Sequence, residues 1–159
     1  MRCVIAGAAA ASVLLITPDA GETPQALDSG AASVSFPVGT PQRLDGAGDV
    51  WTVSRADETF TALAAPAIPG PDADRALRTC PAPPPPGEPQ PAAIACSVAE
   101  DEGDVVKQIS VARPGGALFA QRMILHNGRI YQAQYVRRGG AGAPSAEGQR
   151  FLASLRIRH

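Results

Sequence analysis

Residues 117–137 read ALFAQRMILHNGRIYQAQYVR, two β-prone runs joined by Asn127-Gly128. Asn-Gly between apolar runs is the strongest short-range hairpin signal, because a type I′ turn needs positive φ at both central residues. A two-residue turn there sets the register on either side. Leu125 faces Ile130, Ile124 faces Tyr131, Arg122 faces Ala133 and Ala120 faces Tyr135. Side chains alternate across a sheet, so one face carries Phe119, Met123, Leu125, Ile130 and Val136. The other carries Leu118, Ala120, Ile124, Tyr131 and Tyr135. Both faces have apolar content, which predicts a sheet covered at least partly on each side.

Outward from this hairpin, Val105–Ala112 alternates weakly and reads as a strand ended by the turn Arg113-Pro114-Gly115-Gly116. Beyond a Gly-rich loop at 139–143, Pro144-Ser145 starts a helix whose Phe151, Leu152 and Leu155 share one face. Arg156–Arg158 finishes as a short edge strand or a frayed tail. Upstream, Ser33–Phe36 alternates and forms a first strand stopped by Pro37. Asp49–Ser54 and Thr59–Leu63 read as a hairpin with a four-residue loop at 55–58. Asp72 caps a short helix running through Thr79, with Ala76 and Leu77 turned inward. A Pro-rich insertion at 81–93 follows, either a solvated tether or a ligand for an aromatic groove.

At 159 residues the chain is one domain's worth, since domains cluster near roughly 100–150 residues. Sixteen Pro and sixteen Gly, with only four Phe, two Tyr and one Trp, predict a small core and long connections. The net charge of −1 conceals a split. Residues 21–104 hold 13 acids and 4 bases, whereas residues 105–159 hold 9 bases and 1 acid. Two readings stay open: a positive field for an anionic partner, or two halves that interleave in one sheet and neutralise each other.

Met1-Arg2 followed by CVIAGAAAASVLLI has the positive start and 14-residue apolar run of a secretory signal. A spanning helix needs about 20 residues, so no transmembrane segment is expected in the mature chain. Residues 1–20 are assigned to the signal peptide and 21–32 to a flexible leader; Ser29-Gly30-Ala31 is the alternative cleavage site. Removing the signal removes Cys3 and leaves Cys80 and Cys96. Two cysteines in an exported chain favour a disulfide, because that compartment is oxidising. Closing the interval between them contributes about 3 kcal/mol on the chain-entropy account. Cys3 has no apolar run before it, which argues against a lipid anchor.

The ending GRIYQAQYV…EGQRFLASLRI resembles a group of small bacterial exported proteins of the PsbP-like fold. The residues that carry the resemblance are Arg129, Tyr131, Arg150, Phe151, Leu152 and Ser154, with Leu155 where the pattern prefers Phe. GALFAQRMILHN, VKQISVARPGG and Ser35-Phe36-Pro37 match the group in order and spacing. The resemblance implies an α+β fold over residues 33–159, an antiparallel β-sheet packed by short helices in a PsbP-like sandwich. It carries no catalytic residues over.

No catalytic, metal or cofactor motif is recognisable. His126 reads as the solvated flank of a hairpin tip, and Glu100-Asp101-Glu102-Asp104 as a solvated acidic turn without the ligand spacing of a calcium loop. Gly139-Gly140-Ala141-Gly142 lacks the Lys-Ser/Thr of a phosphate loop. Two functions therefore stand side by side. The first is a non-catalytic periplasmic or extracellular module that binds an envelope protein or an anionic surface component, with no nucleic acid expected. Its candidate patch is Lys107, Arg113, Arg122, Arg137 and Arg138. The second is a small exported hydrolase, which would need a cleft bringing a His beside a carboxylate and a Ser.

Overall fold

The computed structural model describes residues 21–37, 39–45, 48–82, 84, 85, 91, 93–139 and 142–158. Along the chain come β1 (Thr23–Leu27), β2 (Ala32–Phe36), β3 (Gln42–Arg43), β4 (Asp49–Arg55), β5 (Glu58–Pro66) and α1 (Pro71–Arg78). Then follow β6 (Ala93–Asp101), β7 (Asp104–Ala112), β8 (Leu118–His126), β9 (Arg129–Arg137), α2 (Ala146–Ser154) and β10 (Arg156–Ile157). A seven-stranded antiparallel sheet has the order β3-β4-β5-β9-β8-β7-β6, and a three-stranded one the order β1-β2-β10. The signal segment, Cys3 and the cleavage position after Ala20 lie outside the described residues.

The Asn127-Gly128 turn forms as its sequence demands, with φ of 48° and 72°. All four cross-strand pairs expected from it are present: Leu125 with Ile130, Ile124 with Tyr131, Arg122 with Ala133, and Ala120 with Tyr135. The face carrying Leu118, Ala120, Ile124, Tyr131 and Tyr135 is buried, none of these residues being more than 4% exposed. The small sheet and α2 cover it. The opposite face is only partly covered: α1 rests on β7, while Val136 stays exposed. The expectation of cover on both sides therefore holds fully for one face.

Core packing centres on Phe151 of α2. Its ring lies 5.1 Å from that of Phe36 in the small sheet and 5.4 Å from that of Phe60 in the large one. Each fully buried aromatic of this kind contributes about 1.5–3 kcal/mol relative to exposure, and aromatic pairs add about 0.5–1.5 kcal/mol. Ser145 caps the helix start, its hydroxyl accepting from the Gly148 N–H. At the other end the Ser154 hydroxyl accepts from the Ser35 N–H at 2.8 Å and donates to the Phe151 carbonyl. α2 is thus held to β2 just beyond the point where β10 pairs with that strand.

Several expectations need correction. Residues 21–32 are not a free leader: β1 pairs with β2 from Thr23–Phe36 to Leu27–Ala32, and Leu27 is completely buried. The β4–β5 turn contains two residues rather than four, Ala56 taking φ of 42°. Helix α1 begins with Pro71 after Gly70, so Asp72 lies inside the first turn and Ala76 is exposed. Pro suits that first position because its missing N–H would be unpaired there anyway. Finally, β6 occupies Ala93–Asp101, running through the end of the Pro-rich insertion and into the acidic turn. Its small residues carry little strand signal of their own; pairing with β7 along its whole length fixes it.

Cys80 and Cys96 form a disulfide, which ties the end of α1 to β6. Arg78 reinforces that join, bonding Asp74 within α1 and Glu100 on β6.

Two substitutions test this architecture. Asn127→Val forces a β-branched residue into left-handed backbone, a cost of about 1–2 kcal/mol, so its urea midpoint should fall; an unchanged midpoint would mean another turn type. Gly148→Ala should also destabilise although Ala is the better helix former. An added Cβ would lie 2.8 Å from the buried Tyr135 ring, and such overpacking costs about 1–3 kcal/mol. A gain in stability for Gly148→Ala would show that the helix rides higher on the sheet.

Candidate functional site

Of the five cations expected to form one patch, Arg113, Arg137 and Arg138 lie at one end of the sheet, beside the row Ala112–Leu118–Arg137, whereas Lys107 and Arg122 lie further along it on opposite faces. Lys107 faces the α1 side of the sheet, where its ammonium donates to the Ala76 carbonyl at 2.6 Å. Its head caps a helix end. Arg113 lies in the β7–β8 turn and Arg138 just beyond β9, both exposed. Arg137 donates to the Ala143 carbonyl at 2.8 Å and so holds the loop before α2. Arg122 alone points into a groove on the face that α2 covers.

Part of the remaining charge resolves by interleaving, through Arg129 and Arg150. Asp28, from the acidic half, accepts from the Tyr131 hydroxyl at 2.9 Å, and the Arg129 Nε lies 2.5 Å from the same oxygen. Its own N–H donates to Asp49, which also accepts from the Trp51 indole. Arg150 reaches Glu22, and Arg55 reaches Glu147 at 2.7 Å. The Tyr135 hydroxyl donates to Glu58 at 2.5 Å. Burial first, then the hydrogen bond to Asp28 or Glu58, pushes the pKa of each tyrosine above its usual value. Both phenols are structural donors that bind the acidic half to β9.

Arg122 is different. Helix α2, anchored by Phe151, covers β8 and β9 but leaves the inward face of β6 and β7 open. The resulting groove has a volume of about 380 Å³. Small side chains make its floor, Ala95 and Ser97 on β6, Ser110 on β7 and Ala120 on β8. Gln149, Leu152 and Ala153 of α2 form the wall, and Gln108 and Arg122 supply the polar groups beside the floor. Among the described residues lining it, Arg122 is the only charged one. Its Nε is enclosed and has no hydrogen-bond partner among the described residues. Burial, and then the neighbouring Arg156, push the guanidinium pKa down from its usual value. Arginine nonetheless stays charged in proteins. An unpaired, partly desolvated cation is a position of elevated energy that a bound anion would relieve.

His126 is half-buried, its Nδ1 2.6 Å from Asp104 and its Nε2 2.8 Å from the Asn127 side-chain amide. It is thus no merely solvated flank. The nitrogen that a catalytic histidine turns to a hydroxyl here meets an amide. Within the acidic turn, Glu100 engages Arg78 and Asp104 engages His126. No cluster of His, Cys, Asp and Glu suited to a metal occurs among the described residues, and no helix among them is long and apolar enough to cross a membrane.

Sequence reasoning placed Arg122 opposite Ala133 but missed Ala95, Ser97, Gln108 and Gln149 as its surroundings. The legible signal was the interruption itself, one arginine within the apolar alternation Leu118, Ala120, Ile124.

Two sheets and two short helices in this order define a sheet-dominated α+β sandwich of the PsbP-like fold. The chain is similar in structure to cyanobacterial PsbP (CyanoP) from Synechocystis sp. PCC 6803, with a TM-score of 0.54 and 12% sequence identity over 95% of this chain and 98% of that one. At that identity the likeness concerns the fold. No family model and no curated protein matches the sequence.

If Arg122 is unpaired in the free protein, its removal should not weaken the fold. Arg122→Met keeps the stem and discards the charge, so its urea midpoint should equal or exceed that of the parent. A loss beyond about 0.5 kcal/mol, the usual range for surface changes, would make the guanidinium a structural group.

Proposed function

We propose that this protein is a non-catalytic, exported binding module of the cell envelope, and that the groove beside α2 receives an anionic group of its partner. One observation carries the reading: among the described residues Arg122 is the single charge lining the groove, and its enclosed Nε has no hydrogen-bond partner there. Such a group fits a trade of stability for binding. The Cys80–Cys96 disulfide suits an oxidising compartment, and the apolar run after Arg2 suits export to it. A signal cut after Ala20 leaves β1 intact, whereas a cut at Ser29-Gly30-Ala31 would remove β1 and Leu27 from the core.

The placement of the cations narrows the earlier idea of a broad positive patch. Lys107 and Arg137 are engaged with backbone carbonyls, which leaves Arg122 as the specific contact and Arg113 and Arg138 as peripheral charges. Binding should therefore depend on one guanidinium and weaken with salt only moderately, since a partly enclosed pair is screened less than exposed ones.

The test is a titration of the oxidised, 15N-labelled protein with acetate and with inorganic phosphate, following the Arg122 Nε–H resonance. Saturable shifts in the parent, absent from backbone amides of the groove in Arg122→Met, are the expected result. No saturable shift with either anion would overturn the reading.

A further inference from the structure

We propose that the groove beside α2 takes the C-terminal carboxylate of an extended peptide, Arg122 holding the carboxylate and the groove holding the last residues. The inference rests on the reading of Arg122 as an anion contact and adds the class of ligand. Three features of the groove select it.

The first is the charge of the surroundings. On the far side of Arg122 lies a second, smaller concavity of about 150 Å³, lined by Asp101, Glu102 and Asp104 together with Arg156. With Arg122 itself in its lining, that concavity holds three carboxylates against two guanidiniums, and the planar fork of Arg122 matches a single carboxylate. A monoanion is favoured over phosphate.

The second feature is the neutral polar complement. Gln108 and Gln149 each provide an amide donor and acceptor, and Ser97 and Ser110 provide hydroxyls. Such groups answer the alternating N–H and C=O of a peptide backbone. A simple aliphatic acid would leave them unused, and a sugar acid would gain little from the apolar remainder.

The third is size. Short side chains on the floor and Leu152 on the wall leave about 380 Å³, within the range of pockets that enclose small ligands, roughly 300–1,000 Å³. That space suits the last two or three residues of a chain, with apolar side chains against Ala95, Ala153 and Leu152. The ligand would lie across the inward face of β6, β7 and β8, the part of the sheet that α2 leaves open.

The experiment uses the oxidised full chain and four probes: N-acetyl-Ala-Leu as the free acid, the same dipeptide as its C-terminal amide, hexanoate, and inorganic phosphate. Affinities are read from shifts of the Arg122 Nε–H and of groove amides. The free acid should bind most tightly, and the amide about tenfold or more weaker, the difference expected of a charge-assisted hydrogen-bonded pair. Arg122→Met should abolish the preference for acid over amide, and Arg122→Lys should restore part of it, because the charge returns without the fork. Equal affinity for acid and amide, tighter binding of phosphate, or hexanoate matching the dipeptide acid would each overturn the proposal. In those cases a saturable response to acetate or phosphate would leave the anion reading standing. Silence from every anion would remove both.

Discussion

Contact of Phe151 with Phe36 on one side and Phe60 on the other is the interaction on which the rest of the molecule depends. Two sheets that pack face to face need a filler where their twisted edges diverge, and here a helix supplies it. The fit requires close approach. Gly148 lets the helix backbone reach the Tyr135 ring, and Ser154 fastens the last turn to Ser35. Because those anchors lie over β2, β8 and β9, the helix cannot also reach β6 and β7. The open floor beside α2 is thus a geometric consequence of how the core is closed.

Electrostatics follows the same topology. β5 from the acidic half runs beside β9 from the basic half, and β1 brings Glu22 and Asp28 into reach of Arg150 and Arg129. Exposed pairs of this kind contribute little each, about 0–1 kcal/mol. Their importance lies in what they remove from the field. Part of the charge asymmetry along the chain is consumed within the fold, at Arg129 and Arg150, while Arg122, whose Nε has no hydrogen-bond partner among the described residues, stands at the groove. A site defined by a single guanidinium has a different chemistry from a basic surface: it distinguishes shape and charge number, where a surface responds mainly to total charge.

Local chemistry accounts for the parts that were legible. Asn127-Gly128 determines turn type, turn type determines register, and register determines which side chains share a face. That chain of consequences passes through adjacent residues only, so β8, β9 and the shared face of Tyr131 and Tyr135 could be read directly. The Ser145 cap and the spacing of Phe151 and Leu155 made α2 legible for the same reason. Hairpin β4–β5 was readable in kind but not in loop length, since Arg55 and Glu58 extend the ladder once their partners are present.

By itself, then, the sequence determined the central hairpin and its register, the closing helix and the pairing of Cys80 with Cys96, and its resemblance to the PsbP-like group implied the antiparallel α+β class. Tertiary structure alone decided that β1 and β6 are strands, since their own residues hold weak preferences and gain them from β2 and β7. It alone decided that Lys107 and Arg122, two residues of one apparent patch, face opposite sides of the sheet. Most of all it decided the groove. That space exists between a helix near the end of the chain and a strand some fifty residues earlier, and no local rule of sequence relates the two; only the packing of Phe151 brings them to one site.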